Sequence, residues 1–231
     1  MRPRSPANLG SAARAARNFG VEDLRLVEPA APADEEARRL ASGADGLLDV
    51  ARRFETVTDA IADFDAVIAT SSLRGREERR FLRAGELADF LSGLGGTARA
   101  AFVFGPERSG LTEEERSHAS ACLRLPTSDD FPTLNLGHAV AVALAIARLS
   151  EDGAEPAESK ESWAPEGDVE AAVGHWDRAL EAIAFYDTGH RDRSLREWRR
   201  IIAGRPLTRR EVAMLRGVAN RILVSLRRTG Q

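Results

Sequence analysis

Three short stretches of this chain hold residue types able to do chemistry together. The first, Pro6–Arg14 (PANLGSAAR), is a loop that turns into a helix from which Arg14 projects one turn in. The second, Phe104–Leu111 (FGPERSGL), sets the charges of Glu107 and Arg108 between Gly105 and Gly110. Glycines there let a main chain come close to a ligand. The third, Leu125–Leu149, is a polar, proline-bearing loop that reaches Thr133, Leu134 and Asn135 and then becomes a helix. Leu136, Val140, Ala143, Leu144 and Ala147 share one face of that helix. Alanine and valine fill much of the other, so the helix is expected to be buried nearly all round. Its free N-terminal N–H groups, beside fixed polar side chains, offer a place for a small ligand. The same junction also reads as an ordinary turn capped by Thr133 or Asn135.

Other chemistries lack their residues. No GxGxxG follows a strand, no GxxxxGK[ST] is present, and no GxSxG elbow supports a hydrolase. No His/Asp/Glu cluster has metal-ligand spacing, and the one cysteine, Cys122, excludes an internal disulfide and a cysteine metal site. His138, one turn after Asn135, reads as a packed helix residue and not a base. No apolar run approaches a membrane span and no signal peptide is seen, so a cytoplasmic location is expected.

The elements that must position these loops alternate. Residues 7–19 read as helix closed by Gly20, 23–28 as strand, 34–54 as helix weakened by Gly43 and Gly46, and 65–71 as a buried strand. A charged loop, 73–80, precedes a short helix at 85–91. A strand at 100–104 and a helix near Thr112 follow, and 122–125 is a strand end. Such alternation predicts an α/β fold with a largely parallel sheet. The domains expected are 1–150, an acidic linker over 151–167, and a helical extension over 168–231 with helices near 168–187, 191–203 and 208–228. The net charge of −3 conceals an asymmetry. From His190 onward twelve arginines face three acids, a charge of +9, leaving −12 elsewhere. That tail is either an arm for a polyanion or a solvated helical face.

Taken together, N-x-G-x-x-x-R, then FGPE-x-x-GL, then LP…TLNL-x-HAVA resemble, in order and spacing over residues 6–149, the three motifs of the SpoU branch of the SPOUT RNA methyltransferases. The stretch LTRREVAMLRGVANRIL resembles the extension of TrmJ-type tRNA methyltransferases. The resemblance implies a parallel sheet with a deep C-terminal trefoil knot, bound S-adenosylmethionine, a homodimer, and 2′-O-methylation of a tRNA anticodon-loop cytidine or uridine without a metal. Ribosomal RNA methylation, a silent RNA-binding protein and a small-molecule methyltransferase are the alternatives. By motif, Arg14, Asn8, Thr133, Asn135 and Glu107 are the catalytic set, Thr133 standing where the family usually has serine. Thr70, Ser71, Gly105, Glu107, Leu125, Leu134 and Asn135 border the cofactor. Arg14, Arg108, Arg199, Arg200, Arg210 and Arg221 meet RNA.

The chemistry fits those residues. A ribose hydroxyl is a poor nucleophile until its proton is drawn away, and a guanidinium stabilises the charge that develops. Glu107 is expected to orient Arg14 through a two-pronged pair. One departure concerns the sheet. Similar proteins place an apolar strand before the first loop, whereas only MRPRSPA precedes Asn8. Either the sheet lacks that strand or the chain's start lies upstream. If the strand is missing, an open sheet edge or core slot is expected.

Overall fold

The computed structural model describes residues 1–71, 81–151, 162–186 and 190–229. Helix α1, Pro6–Asn18, begins where the Ser5 side chain accepts the Asn8 N–H at 3.3 Å. It ends at Gly20, whose φ of +75° turns the chain in a way few other residues tolerate. Its alanine face and Leu9 are buried. Strand β1, Arg25–Val27, pairs in parallel with β2, Arg52–Phe54.

The single helix expected over 34–54 is instead α2 (Glu35–Ala41), α3 (Asp45–Asp49) and β2. Ser42 and Gly43, at φ 45° and 89°, end α2, because two successive left-handed residues cannot continue a right-handed helix. Arg52–Phe54 then takes up the free edge of β1. Helix α4 (Val57–Ile61) leads to β3, Ala66–Thr70, an apolar run buried over four residues.

Strand β3 lies inside a four-stranded parallel sheet of order β4-β6-β3-β5, with β4 at Phe81–Leu82, β5 at Ala100–Val103 and β6 at Ala121–Leu123. Helix α5 (Ala84–Leu94) packs Leu87, Phe90 and Leu94 into the core with Ile68, Leu82, Leu123 and Ala143. Helix α6 (Glu113–Ser117) opens on a Thr112–Glu115 capping box. Helix α7, Leu136–Glu151, is less buried than its composition predicts. Gly137, Val140 and Ala143 are buried, but Ala141, Val142 and Ala145 are half-covered and Leu149 is 73% exposed. Within one chain, α1 and α5 cover only part of its surface.

Helices α8 (Glu166–Ala182), α9 (Arg191–Ala203) and α10 (Arg209–Thr229) form the extension around Val169, Ala172, Ala203, Leu207 and Val212. It docks on the sheet unit through main-chain bonds from Glu166 to Phe64 O (2.8 Å) and Gly167 to Ala62 O (2.9 Å). The Trp163 indole N–H donates to Leu94 O at 2.7 Å. The charged loop expected at 73–80 lies outside the described residues.

The anticipated slot exists. Strand β1 pairs only with β2 and β5 only with β3 among the described residues. A cavity of about 500 Å³ touches Arg25–Val27 on one side and Ala100–Val103 on the other.

Candidate active site

The second and third loops and the start of α1 meet at the C-terminal ends of parallel strands, the edge where ligands sit in open α/β sheets. Thr70 ends β3 and its hydroxyl donates to Val103 O at the end of β5, 3.1 Å away. The Ser71 N–H donates to Leu123 O at the end of β6 (3.2 Å). Gly105 lies two residues past the end of β5, and a Cβ there would collide with the main chain of Gly110 and Leu111. The second loop therefore folds back on itself in a way only glycine allows.

A chain of polar side chains ties the loops together. Asn135 Nδ2 donates to Asn8 Oδ1 at 2.6 Å, and Asn8 Nδ2 donates to Glu107 Oε1 at 2.9 Å. Residues 127 and 99 apart in sequence are thus joined. Glu107 also receives the Ser5 and Arg4 N–H groups at 3.4 Å. Burial raises the Glu107 pKa, but these donors together outweigh it and hold the carboxyl below its ordinary value. Asn135 Oδ1 accepts the Gly137 N–H at 2.9 Å, so Asn135 caps α7. Gly137 packs against Ser11 of α1 so closely that a side chain there would clash.

Not every expected residue lies in this cluster. Arg14 is exposed on α1 and has no polar partner among the described residues. The pair expected between Arg14 and Glu107 is absent, because Glu107 is held by Asn8 and the main chain of residues 4 and 5. Thr133 is exposed and makes no hydrogen bond among the described residues. His138 is exposed, contrary to the packed position expected, because it lies on the uncovered side of α7.

Arg199, expected to meet RNA, is largely covered and paired within the chain. Its side chain is 11% exposed and donates to Glu170 Oε1 at 2.5 Å and to Ser117 Oγ at 3.2 Å. Sequence alone gave no sign that α9 would turn this arginine onto α6. Arg200 is half-buried. Other tail arginines pair as well: Arg191 with Asp177 and Glu181, Arg193 with Glu197, and Arg205 with Glu211. Acids outside the tail, Asp177, Glu181 and Glu170, therefore offset part of its +9. Arg210, Arg216, Arg221 and Arg227 on α10 are exposed with no ion pair among the described residues, and Arg108 is exposed beside the second loop. The role of Asn8 as the central link, the close approach of Gly10 to the Ala37 main chain of α2, and that of Gly137 to Ser11 were not read from the sequence; small residues at one-turn spacing in α1 were the available sign.

The loops suit a ligand recognised by main-chain groups. The N–H groups of Leu125, Thr133 and Leu134 have no acceptor among the described residues. Leu134 is 37% exposed and Leu125 half-buried, giving apolar surface beside those donors. Among the described residues no group of three His, Cys, Asp or Glu side chains is placed to hold a metal ion.

Comparison with known proteins decides the family. The SpoU rRNA Methylase family model matches residues 1–145. The chain belongs to this family. The model for the C-terminal domain of tRNA methyltransferase TrmJ matches residues 167–231. A tRNA (cytidine-2′-O-)-methyltransferase TrmJ of Methanocaldococcus jannaschii is 40% identical over 145 residues, a match spanning 62% of this chain and 62% of that protein. A tRNA (cytidine/uridine/adenosine-2′-O-)-methyltransferase TrmJ of Pseudomonas aeruginosa is 32% identical over 92% of this chain and 88% of that one. Among solved structures, TrmJ from Z. mobilis superposes with a TM-score of 0.82 at 31% identity, covering 96% of both chains. An AdoMet-bound rRNA methyltransferase from Sinorhizobium meliloti superposes at 0.52 with 25% identity, over 64% of this chain and 53% of that one. This SpoU methylase thus has the SPOUT-type α/β fold, a parallel sheet followed by C-terminal helices.

Proposed function

We propose that this protein transfers a methyl group from S-adenosylmethionine to a ribose 2′-hydroxyl of tRNA, at an anticodon-loop cytidine or uridine. The observation that carries the reading is the Asn135–Asn8–Glu107 chain, which draws three distant loops into one site at the strand ends. The relatives named for tRNA 2′-O-methylation, matched over nearly the whole chain, support the substrate. We also propose a division into a methyltransferase domain (1–150), a linker (151–167) and an RNA-binding extension (168–231). The segment 125–149 is proposed to close a deep trefoil knot. The part-covered α7 is proposed to meet its counterpart in a homodimer, and the location is taken as cytoplasmic.

S-adenosylmethionine, when bound, supplies an electrophilic methyl group. Gly105, Leu125, Leu134 and Asn135 would hold it, with Thr70, Ser71 and Glu107 at the border. The main-chain donors of the third loop would bind its polar edges, while Leu125 and Leu134 would exclude water. The cofactor would supply the methyl group that the ribose 2′ oxygen takes up, and the hydroxyl proton would leave to solvent. Arg14, free of protein partners, stabilises the oxygen as negative charge builds on it. Glu107 does not aim Arg14; it keeps Asn8 in place, and Asn8 keeps Asn135 at the head of α7. Thr133 lies beside Asn135 with its hydroxyl open to substrate.

The test is single-turnover transfer of a labelled methyl group to tRNA, with ribose-methylation mapping of tRNA from cells lacking the gene. Label at one anticodon-loop ribose, and loss of that mark in the deletion strain, are the expected results. Binding of tRNA with no transfer would replace this reading with that of a silent RNA-binding protein.

A further inference from the structure

Two arginines beside the site have nothing to bind. Arg4 and Arg108 are both exposed, and neither side chain has a hydrogen bond or ion pair among the described residues. Glu107 brings them together. Its Oε2 accepts the Arg4 N–H at 3.4 Å, and Arg108 is the next residue along the second loop. The two backbones thus flank one carboxylate, and each carries a long side chain ending in five N–H donors.

That carboxylate does not serve the guanidiniums. Its Oε1 takes Asn8 Nδ2 and the Ser5 N–H, and its Oε2 takes the Arg4 N–H. Two acids of α6 are directed elsewhere, Glu115 to Arg2 and the Thr112 N–H, and Glu113 to Arg196 at 3.9 Å. Glu114 is exposed on the same helix with no partner among the described residues. Arg2 shows the contrast, since it pairs with both Glu115 and Glu28. Two unpaired guanidiniums held near one another repel, and one anion with two acceptor oxygens relieves both.

Position says which anion fits. The arginines sit at the outer end of the Asn135–Asn8–Glu107 chain, whose inner end caps α7. Asn8 lies one helical turn past Arg4, with its N–H fixed by the Ser5 hydroxyl between them at 3.3 Å. The transferase reading sets the reacting ribose over the loops that this chain joins. A strand laid there carries a phosphodiester on each side of that ribose, and each phosphodiester has two free oxygens.

We propose that Arg4 and Arg108 together seat a phosphate next to the target ribose, each guanidinium donating to one of its free oxygens. The seat rests on the transferase reading for the place of the ribose. It adds a second basic contact to tRNA, separate from the arginines of α10 and close to the chemistry. Phosphate contacts fix the register of a strand without reading its sequence. The pair therefore holds cytidine and uridine riboses alike. Arg4 acts here through its side chain, while its main-chain N–H keeps Glu107 in place.

The experiment is ethylation interference. End-labelled tRNA is sparsely ethylated with ethylnitrosourea, which removes the charge of single phosphates, and is then divided into bound and free fractions. The unmodified chain is compared with the Arg4→Gln/Arg108→Gln variant, whose thermal midpoint should match because both side chains are exposed and unpartnered. Ethylation of a phosphate beside the methylated ribose is expected to block binding to the unmodified chain and to have no effect on the variant. The slope of log affinity against log salt should fall by about 0.7–1, the loss of one phosphate contact. Interference beside the ribose that persists in the variant would overturn the proposal, as would its absence from the unmodified chain. Equal weakening at every phosphate would show general attraction in place of a seat. A loss of cofactor affinity in calorimetry would assign the pair to the cofactor's carboxylate, and a change of chain mass in light scattering to an acid of a second copy; either result overturns the seat. A chain that binds tRNA but transfers no methyl group sinks the transferase reading alone. In that case one interference position erased by the variant keeps the phosphate seat, and none erased overturns it.

Discussion

Arg14 stands exposed on α1, and that exposure gives it a role distinct from the cofactor loops. Arg14→Ala is expected to slow single-turnover methyl transfer by about 10²–10³, the usual effect of removing one charge-stabilising donor. Cofactor affinity, read by calorimetry, should stay near that of the unmodified protein. Arg14→Lys should recover only part of the rate, because an ammonium lacks the planar fork of a guanidinium. Asn8 acts differently, since it touches both Glu107 and Asn135. Asn8→Ala leaves a part-buried carboxylate short of one donor, at a stability cost of about 1–3 kcal/mol. Asn8→Asp should be worse than Asn8→Ala, because it sets two carboxylates side by side. Thermal midpoints of the two variants check the order, and equal midpoints would mean that the Asn8–Glu107 bond contributes little.

At the scale of elements, the docking of α8 against α4, α6 and α9 carries a titratable group. Glu166, 8% exposed, has its pKa raised from 4.5 to about 8, mainly by burial and further by Glu170, with Arg199 opposing. The folded chain therefore holds that proton more tightly than the unfolded chain. Stability from this source is full below about pH 4.5 and is lost as pH rises toward 8. Neighbouring groups face it: Glu170 and Arg199 from α8 and α9, with His118 of the α6 cap 3.5 Å from Glu170. Glu166→Gln should remove the decline in denaturation midpoint between pH 5 and pH 8. A decline of the same size in that variant would trace it to another group. The buried Met1 amine acts with the opposite sign, adding stability as pH rises from about 6 to 8. The difference between the variant and the unmodified chain isolates the carboxyl.

For the whole molecule, the distribution of charge decides where tRNA is met. Acids of α6 and α8 pair with Arg191, Arg196 and Arg199, and among the described residues Arg210, Arg216, Arg221 and Arg227 of α10 stay exposed without an ion pair. Replacing Arg210 and Arg221 together by glutamine should weaken tRNA binding at every sequence alike. It should also reduce the slope of log affinity against log salt by about 1–2. Arg199→Gln should act mainly on stability, because that side chain joins α9 to α6 and α8. An unchanged slope in the α10 variant would move the RNA surface elsewhere. If α7 meets its counterpart in the proposed homodimer, light scattering should give about twice the 25.1 kDa chain mass. A monomer active in methyl transfer would refute that arrangement.

Local chemistry made much of this legible in advance. Apolar runs such as 66–69 have no stable place except a buried parallel strand, and the Gly20 turn ends α1 by its own conformational freedom. Glycine and charge at fixed offsets marked the second loop. What stayed hidden depended on partners distant in sequence. Arg199 reads as a free cation until α9 lies on α6, and only then is its charge matched by Glu170. Residues 52–54 read as helix until β1 offers them an edge. Glu107 could reach several donors by type, but tertiary packing brought Asn8 within 2.9 Å and left Arg14 in solvent. Sequence patterns determine which faces must be buried and where the backbone can turn, because those preferences act over a few residues. Which charges are paired, and which loops share a site, follows from how the elements pack, because those contacts join residues that the chain keeps far apart.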